Sequence, residues 1–444
     1  MAYTDEKLRK LIIPLIFEQL LAVAMGMADT FMVSTCGEAA VSGISIVDTI
    51  FILMFGLFSA MSSGGGVVVA QYMGKKDEKM IGKASNQLFL AVTAAGILFL
   101  VIGVLGNHWI LELIYHGIAP DVMEAAQIYF FYSALSFPVV GVYNAAAALF
   151  RAVGNSKLPM KVSMSCNCMN VAGNALLIYG FKMGVAGAAI STLAARTVAA
   201  VMIVALALKS KDIILDKSWK FDWSVMKKIL YIGVPNGVES SIFQVGKLIL
   251  SSLIASFGTA AITANAVVGS VGSLQLVPSN AMGIGMLTVV GQCIGAKDTE
   301  LAKKYMFKLL KMTQILMLIL GIPLFLFAKP IFGLYNLSEE TLNIAIQLQI
   351  FNCVATIIAQ PYAFPLANGL KAANDVRYVM VVSIVSMFTC RIVLAYILGD
   401  YMGLGVLGVW IAMSIDWVVR AIFFVGRVRT GKWLKNMDAI VGKA

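Results

Sequence analysis

Charge is scarce in this 444-residue chain: Asp, Glu, Lys and Arg make up only 13% of it, against about a quarter in a soluble domain. Histidine is scarcer still, with His108 and His116 alone. The six cysteines fall in or beside apolar stretches, and Cys166-x-Cys168 has the wrong spacing for a zinc knuckle. These shortages argue against a His/Cys metal centre, and the cysteines read as small buried hydrophobes. The nearest thing to a phosphate loop, "SSGGGVVV" (62–69), lies inside an apolar segment and suits close helix packing or a hinge better. No small-residue cleavage site follows the short polar start "MAYTDEKLRK", so the first apolar stretch reads as an uncleaved helix. Nothing here supports an enzyme, and no cofactor is expected.

What fills the chain instead is apolar. Hydrophobic residues make up 60% of it, and the mean hydropathy is +0.87. Crossing a bilayer takes about 20 apolar residues. Twelve segments qualify: 11–34, 44–70, 87–111, 124–150, 160–181, 185–208, 229–257, 262–290, 309–332, 342–367, 378–399 and 404–426. The class is therefore an all-α integral membrane protein that has the lipid bilayer as its solvent.

Basic residues orient it. Of 34 Lys and Arg, 29 fall before span 1, after the even-numbered spans or in the terminal segment from Arg420 onward. Only Lys182 and Lys329 fall on the opposite side. Both termini are expected in the cytoplasm of a cell (plasma or inner) membrane. The bias also accounts for the net charge of +11 without nucleic acid. The opposite loops are short, the longest carrying both histidines, and a monomer is expected.

The chain repeats itself at an offset of 221 residues. "VAQYMGKKDEKM" (69–80) matches "VGQCIGAKDTEL" (290–301), "GEAAVSG" (37–43) matches "GTAAITA" (258–264), and "GVAGAA" (184–189) matches "GVLGVW" (405–410). Pro14 and Glu18 recur as Pro235 and Glu239. Six spans are an even number, so the halves are parallel repeats about a pseudo-twofold along the membrane normal. The expected organisation is an N-terminal six-helix bundle (1–208), a basic cytoplasmic linker (209–228), a C-terminal six-helix bundle (229–426) and a cytoplasmic tail (427–444). Such a design leaves a cavity between bundles that rocking opens to one side or the other.

Each ionisable group inside a span costs roughly 2.5–3.5 kcal/mol at mid-helix on insertion scales and needs a reason. The set is Glu18, Asp29, Asp48, Arg196, Glu239, Lys247, Arg391 and Asp416. Asp48 is placed toward the outer interface, and Asp416 is expected to pair with Arg420 one turn on. Glu18 and Asp29, close to three turns apart, share a face of span 1. Glu18 has a counterpart in the repeat, whereas Asp29 faces Leu250 at that offset. Span 5, "SCNCMNVAGNALLI", puts Asn167, Asn170 and Asn174 on one face, and span 6 adds Thr192 and Arg196. Their equivalents include Arg391 for Asn170, Ala395 for Asn174 and Met413 for Thr192, so the polar set belongs to the first half alone. One reading is interhelical glue. With an uncopied carboxylate beside it, a coupling site is favoured. Amide, hydroxyl and carboxylate oxygens suit Na⁺, and a desolvated carboxylate suits H⁺.

Four stretches carry a resemblance: "ADTFMVSTCGEAAVSG", "VAQYMGKKD", "LFRAVGNSKLPM" and "GVAGAAIST". In order and spacing, over nearly the whole chain, they resemble the multidrug and toxic compound extrusion (MATE) family, its DinF-like prokaryotic branch more than its NorM-like one. That resemblance implies a secondary active antiporter expelling small organic, often cationic, substrates in exchange for H⁺ or Na⁺ by alternating access. The family's span 1 aspartate falls on Asp29, the Asn-x-x-x-Asp of span 5 on Asn170 and Asn174, and the span 6 threonine on Thr192. Position 174 departs from the pattern, being Asn, so the cluster carries one charge rather than two. The NorM-like branch has an acidic site in its second half, but residues 342–367 contain no acid. Glu18, Glu239, Lys247, Asn167, Arg196 and Arg391 remain candidate cavity or gating residues. The rival within the superfamily is a lipid or lipid-linked sugar flippase, expected to carry several cations in its cavity. A channel is less compatible with the broken symmetry. The 25 methionines would help broad specificity, although most read as lipid-facing filler.

Overall fold

The computed structural model describes residues 4–115, 117–335, 337–437 and 440, with backbone alone for Met27 and Thr30. His116 lies outside the described residues. Two compact units emerge, an N-terminal one over Thr4–Gly237 and a C-terminal one from Val238 onward. The secondary structure of the described residues is helical, with no strand among them.

The N-terminal unit contains α1 (Asp5–Ser34), α2 (Glu38–Lys75), α3 (Glu78–Leu105), α4 (Asn107–Ile114), α5 (Pro120–Leu135), α6 (Phe137–Ala152), α7 (Lys157–Asn174) and α8 (Gly184–Lys209). α9 (Trp223–Ser256) begins in this unit and ends in the next. The C-terminal unit adds α10 (Thr259–Gly295), α11 (Thr299–Leu326), α12 (Ala328–Gly333), α13 (Glu339–Ile358), α14 (Gln360–Ala363), α15 (Pro365–Ala372), α16 (Val376–Ser386) and α17 (Gly405–Arg429).

Ten of the described helical segments are long and apolar enough to cross a membrane, and α5 with α6, bent by 45° at their junction, makes an eleventh. Pro138 sits just past that junction, where its missing N–H and fixed φ break the ladder. The fifth expected span, 160–181, is helical but polar for a span. It runs as α7 and then as a wider π-helical turn, Ala175–Gly180. The tenth, expected as one helix over 342–367, stops at Ile358 and resumes in two short pieces that start at Gln360-Pro361 and Pro365. Large apolar side chains such as Leu98, Val201, Ile319 and Ile422 are more than half exposed. Lipid is the solvent that makes such a surface favourable.

The repeat is written into the backbone at the same offset of 221. Gly37 and Gly258 open α2 and α10 at φ 100° and 95°. Lys76 and Lys297 take left-handed φ of 61° and 60° at the other ends of those helices. Asp77 and Asp298 then cap α3 and α11, accepting from the backbone N–H of Met80 and Leu301. The π-helical turn Ala175–Gly180 recurs as Tyr396–Tyr401. A Cβ on Gly187 would lie 3.1 Å from Leu177, and one on Gly408 2.6 Å from the backbone of Leu398 and Gly399. The "GVAGAA" and "GVLGVW" motifs thus bring each last helix against the wide turn before it.

Glycines also explain "SSGGGVVV". A Cβ at Gly64 would meet the Gly233 backbone nitrogen at 2.8 Å, and one at Gly65 would meet Leu88 at 2.4 Å. The run lets α2 approach α9 and α3, as the packing reading expects. The cysteines are less uniform than expected. All six are free, but only Cys293 and Cys353 are buried, and Cys168 is exposed.

The segment after α8 is strapped to α3. Asn86 donates to the Asp216 carbonyl at 2.6 Å and accepts from the Asp216 N–H at 3.2 Å. Gln87 donates to the Lys220 carbonyl at 2.8 Å, and Lys83 pairs with Asp222 at 3.0 Å. These bonds explain why the linker belongs to the N-terminal unit. The Lys83 ammonium holds the Asp222 carboxyl below its ordinary range, assisted by backbone N–H groups. A depressed carboxyl stabilises the fold above its unfolded pKa of about 3.9 and loses that contribution as pH falls through the folded value. Proteolysis of residues 209–222 is therefore expected to stay constant from pH 8 to pH 5 and rise only below about pH 4. An onset near neutrality would contradict the strap.

Candidate functional site

In the N-terminal unit α1 packs on α7, and α7 on α8. Those two interfaces gather the polar residues. Asn174, 1% exposed, donates from its amide to Asp29 Oδ1 at 2.9 Å. Asn170, one turn earlier, is 7% exposed. With its amide nitrogen turned toward the carboxylate, it donates to Asp29 Oδ1 at 2.6 Å and accepts from Thr192 Oγ1 at 3.0 Å. That orientation gives both the nitrogen and the oxygen of the Asn170 amide a sensible partner, and the network decides the choice. Ser191 fixes the α7–α8 register, donating to the Asn170 carbonyl at 2.9 Å. Asp29, Asn170, Asn174 and Thr192 therefore form one hydrogen-bonded group.

Within that group one atom is left over. Asn174 Oδ1 is buried without a hydrogen-bond partner. An orphaned carbonyl oxygen costs about 1–3 kcal/mol unless something else meets it. It lies on the residue whose nitrogen holds Asp29, so one carboxylate and one free amide oxygen are offered at the same place. That donor set suits a small monovalent cation or a proton.

Arg196 stands beside this group, not in it. Its guanidinium donates to Ser136 Oγ at 3.0 Å and lies 4.0 Å from the ring centroid of Phe51. Asn167 makes no hydrogen bond among the described residues, so the structure leaves it out of the group. Asp48 is ten residues into α2, about 15 Å along it at ~1.5 Å per residue.

Glu18 has a different environment. It pairs with Arg151, at the end of α6, at 2.5 Å. Its repeat partner Glu239 pairs with Lys371, at the end of α15, at 2.8 Å. Arg151 plus 221 is 372, one residue from Lys371. The two acids thus make equivalent bonds, each tying the first helix of a half to the end of its fourth span.

Arg391 and Asp416 form a buried centre that the sequence showed only in part. Asp416 is 0% exposed, and Arg420 Nε meets its Oδ1 at 2.8 Å, the expected pair one turn on. Arg391 Nε lies 3.2 Å from its Oδ2, and Ser386 donates to it as well. Arg420 is 2% exposed and so belongs to this centre, not to the basic cytoplasmic end where the charge count placed it. The i,i+4 spacing revealed the first pair. No local signal could reveal the second, because Arg391 comes from another helix. Lys247 reaches neither acid, and its ammonium lies 5.3 Å from the ring centroid of Phe243.

Relatives carry the same layout. The chain is 26% identical to "Uncharacterized transporter YisQ" of Bacillus subtilis (strain 168) over 434 residues, covering 95% of this chain and 94% of that one. It is 25% identical to "Probable multidrug resistance protein NorM" of Thermotoga maritima over 445 residues, covering 97% and 93%. Among solved structures, one described as "Crystal structure of MATE in complex with MaL6" superposes with TM-score 0.89 at 18% identity, covering 97% of each chain. Another, "Outward-facing conformation of a multidrug resistance MATE family transporter of the MOP superfamily", gives 0.87 at 18% identity, covering 98% and 100%. The MatE family model matches residues 14–176 and again 235–397, two stretches that begin 221 residues apart. With most of each repeat matched, the chain belongs to the MatE family of membrane transporters.

Proposed function

We propose that this protein is an efflux antiporter of the cell membrane, with both termini cytoplasmic. It expels small organic, often cationic, compounds in exchange for H⁺ or Na⁺ by alternating access. The observation that carries the reading is the Asp29 group: a single uncopied carboxylate, tied by Asn174 and Asn170 to α7 and through Asn170 to Thr192 on α8, with the Asn174 oxygen left free. The names of the NorM relatives, multidrug resistance proteins, support the substrate class.

The mechanism follows from linkage. An ion can shift a conformational equilibrium only by as much as it prefers one state. Asp29 is on α1, its partners Asn170 and Asn174 are on α7, and Thr192 joins from α8 through Asn170. Loading the carboxylate with H⁺ or Na⁺ replaces or weakens the amide donors now held there, which changes how α1 packs. That coupling lets an ion entering down its gradient drive substrate out. Thr192 and Asn170 position the site, whereas Asp29 alone changes charge.

The test is transport. Proteoliposomes loaded with the fluorescent organic cation ethidium receive an inward Na⁺ or pH gradient. One of the two gradients is expected to accelerate efflux at least tenfold over no gradient, and collapsing it with an ionophore should stop the acceleration. Efflux indifferent to both gradients would overturn the antiport reading and favour the flippase rival.

A further inference from the structure

The two units carry opposite electrostatics. In the N-terminal unit the uncopied charge is an acid, Asp29. In the C-terminal unit the position equivalent to Asp29 is Leu250, and the position equivalent to Asn170 is the cation Arg391. The inner charges of the C-terminal unit do not balance. Lys371 is matched by Glu239, but Asp416 alone faces both Arg391 and Arg420, and Lys247 faces no acid among the described residues. Two positive charges are left over within spans, where ionisable groups are retained for a purpose.

Those charges converge on one aromatic ring. Phe243 has the Lys247 ammonium at 5.3 Å from its centroid, the Arg391 guanidinium at 4.9 Å and the Arg420 guanidinium at 5.8 Å. A ring face attracts cations but neutralises none of them. Phe243 also meets Phe364 edge-on at 6.1 Å, and Phe364 meets Trp417 at 6.1 Å. A small cleft beside Phe243 is lined by Glu239, Ile242, Ser383, Ile384, Met387 and Arg420, with Lys247 and Arg391 outside its lining.

Lys247 is not reaching for the nearer membrane surface. It lies nine residues before the end of α9, roughly 13 Å at 1.5 Å per residue. Its amine instead points back over Phe243, one turn deeper. It is exposed, while Arg391 is only 2% exposed. A lysine with an exposed side chain thus shares the Phe243 ring with a buried guanidinium whose acid is shared with Arg420.

The geometry points to an anion-recognition site on Lys247 and Arg391 around Phe243, which takes the carboxylate, sulfonate or phosphate of an aromatic or amphiphilic compound. Lys247 meets the anion first, as a mobile point charge. Arg391 supplies the fixed field behind it. Phe243 and Phe364 receive the apolar body. This rests on the transporter reading and extends it: the cargo includes anionic or zwitterionic compounds, and not organic cations alone.

The experiment uses the full chain in phosphatidylcholine nanodiscs and two fluorescent probes of the same shape, 8-anilinonaphthalene-1-sulfonate and neutral N-phenyl-1-naphthylamine. Empty nanodiscs supply the background. The sulfonate is expected to bind at least tenfold more tightly than the amine. Lys247→Met should remove most of that preference with an unchanged melting temperature, and Lys247→Arg should restore it. Equal affinity for both probes, or a preference untouched by Lys247→Met, would overturn the site. Competition distinguishes two sources of the same chemistry. Displacement by dihexanoyl phosphatidylglycerol but not by 1-naphthoate assigns a lipid phosphate, and the reverse assigns a free organic anion; each supports the site. A wild-type protein without the probe preference but with intact gradient-driven ethidium efflux would sink this inference alone. Efflux indifferent to both gradients, with the preference intact, would sink the antiport reading alone.

Discussion

Asp29→Asn is expected to abolish gradient-driven efflux in proteoliposomes, down to the rate of protein-free vesicles. The substitution conserves size and leaves a hydrogen-bonding partner for Asn174 and Asn170, so α1 should still dock on α7. What it removes is the one group of the cluster able to change its net charge on taking H⁺ or to neutralise Na⁺. A site that no longer prefers the loaded ion in one state transmits nothing, however well it folds. Even a tenfold fall in the driven rate would correspond to only about 1.4 kcal/mol of lost coupling, so the assay has ample range. Asp29→Glu should recover a minor fraction at most, since one extra methylene carries the carboxylate past a donor now 2.9 Å away. Asn167→Ala, on the same helix but outside the hydrogen-bonded group, should leave the driven rate near that of the wild type. Driven efflux retained by Asp29→Asn would remove Asp29 from the coupling role, and a fall in Asn167→Ala as deep as in Asp29→Asn would show that α7 responds to any change of polarity.

The contrast between those residues shows how far the sequence could be read. Spans, the repeat and its offset were visible because a bilayer imposes length and apolarity locally, and because capping residues such as Asp77 and Asp298 recur with the helices they start. The Asn face of span 5 was visible from spacing, but spacing gave Asn167, Asn170 and Asn174 equal standing. Which of them meet Asp29 depends on where α1 lies against α7, a tertiary fact. The breaks in the fourth and tenth spans were marked by prolines, yet their apolar content read as continuous. Arg391 illustrates the remaining gap. In the sequence it is an isolated charge inside a span. Only packing shows that it shares one carboxylate with Arg420, and the shared acid is what leaves charge unmatched near Phe243.

That shared acid makes Asp416→Leu the most destabilising single change expected in the C-terminal unit. Asp416 is fully buried between Arg391 and Arg420 and also accepts from Ser386. Removing it strands the desolvated Arg391 guanidinium without a counter-charge and leaves Arg420 only the Glu239 carboxylate that Lys371 already pairs. Breaking a buried pair in this way costs about 3–5 kcal/mol, a large share of the roughly 5–15 kcal/mol that holds a typical domain. Arg420 would keep its bond to the Ser383 carbonyl at 3.1 Å, which compensates little, because a carbonyl does not neutralise a cation. Asp416→Asn should fall between the two, keeping the acceptor and losing the charge. The measurement is thermal unfolding of the detergent-solubilised protein, followed by tryptophan fluorescence. Combining Asp416→Leu with Arg391→Met and Arg420→Met should recover most of the lost melting temperature, since a well-packed apolar trio can replace a buried ionic one at little cost. A single variant that melts with the wild type would show that the cations relax toward water or lipid headgroups. A triple variant no better than the single would place the stability in the hydrogen bonds of Asp416 and not in charge balance.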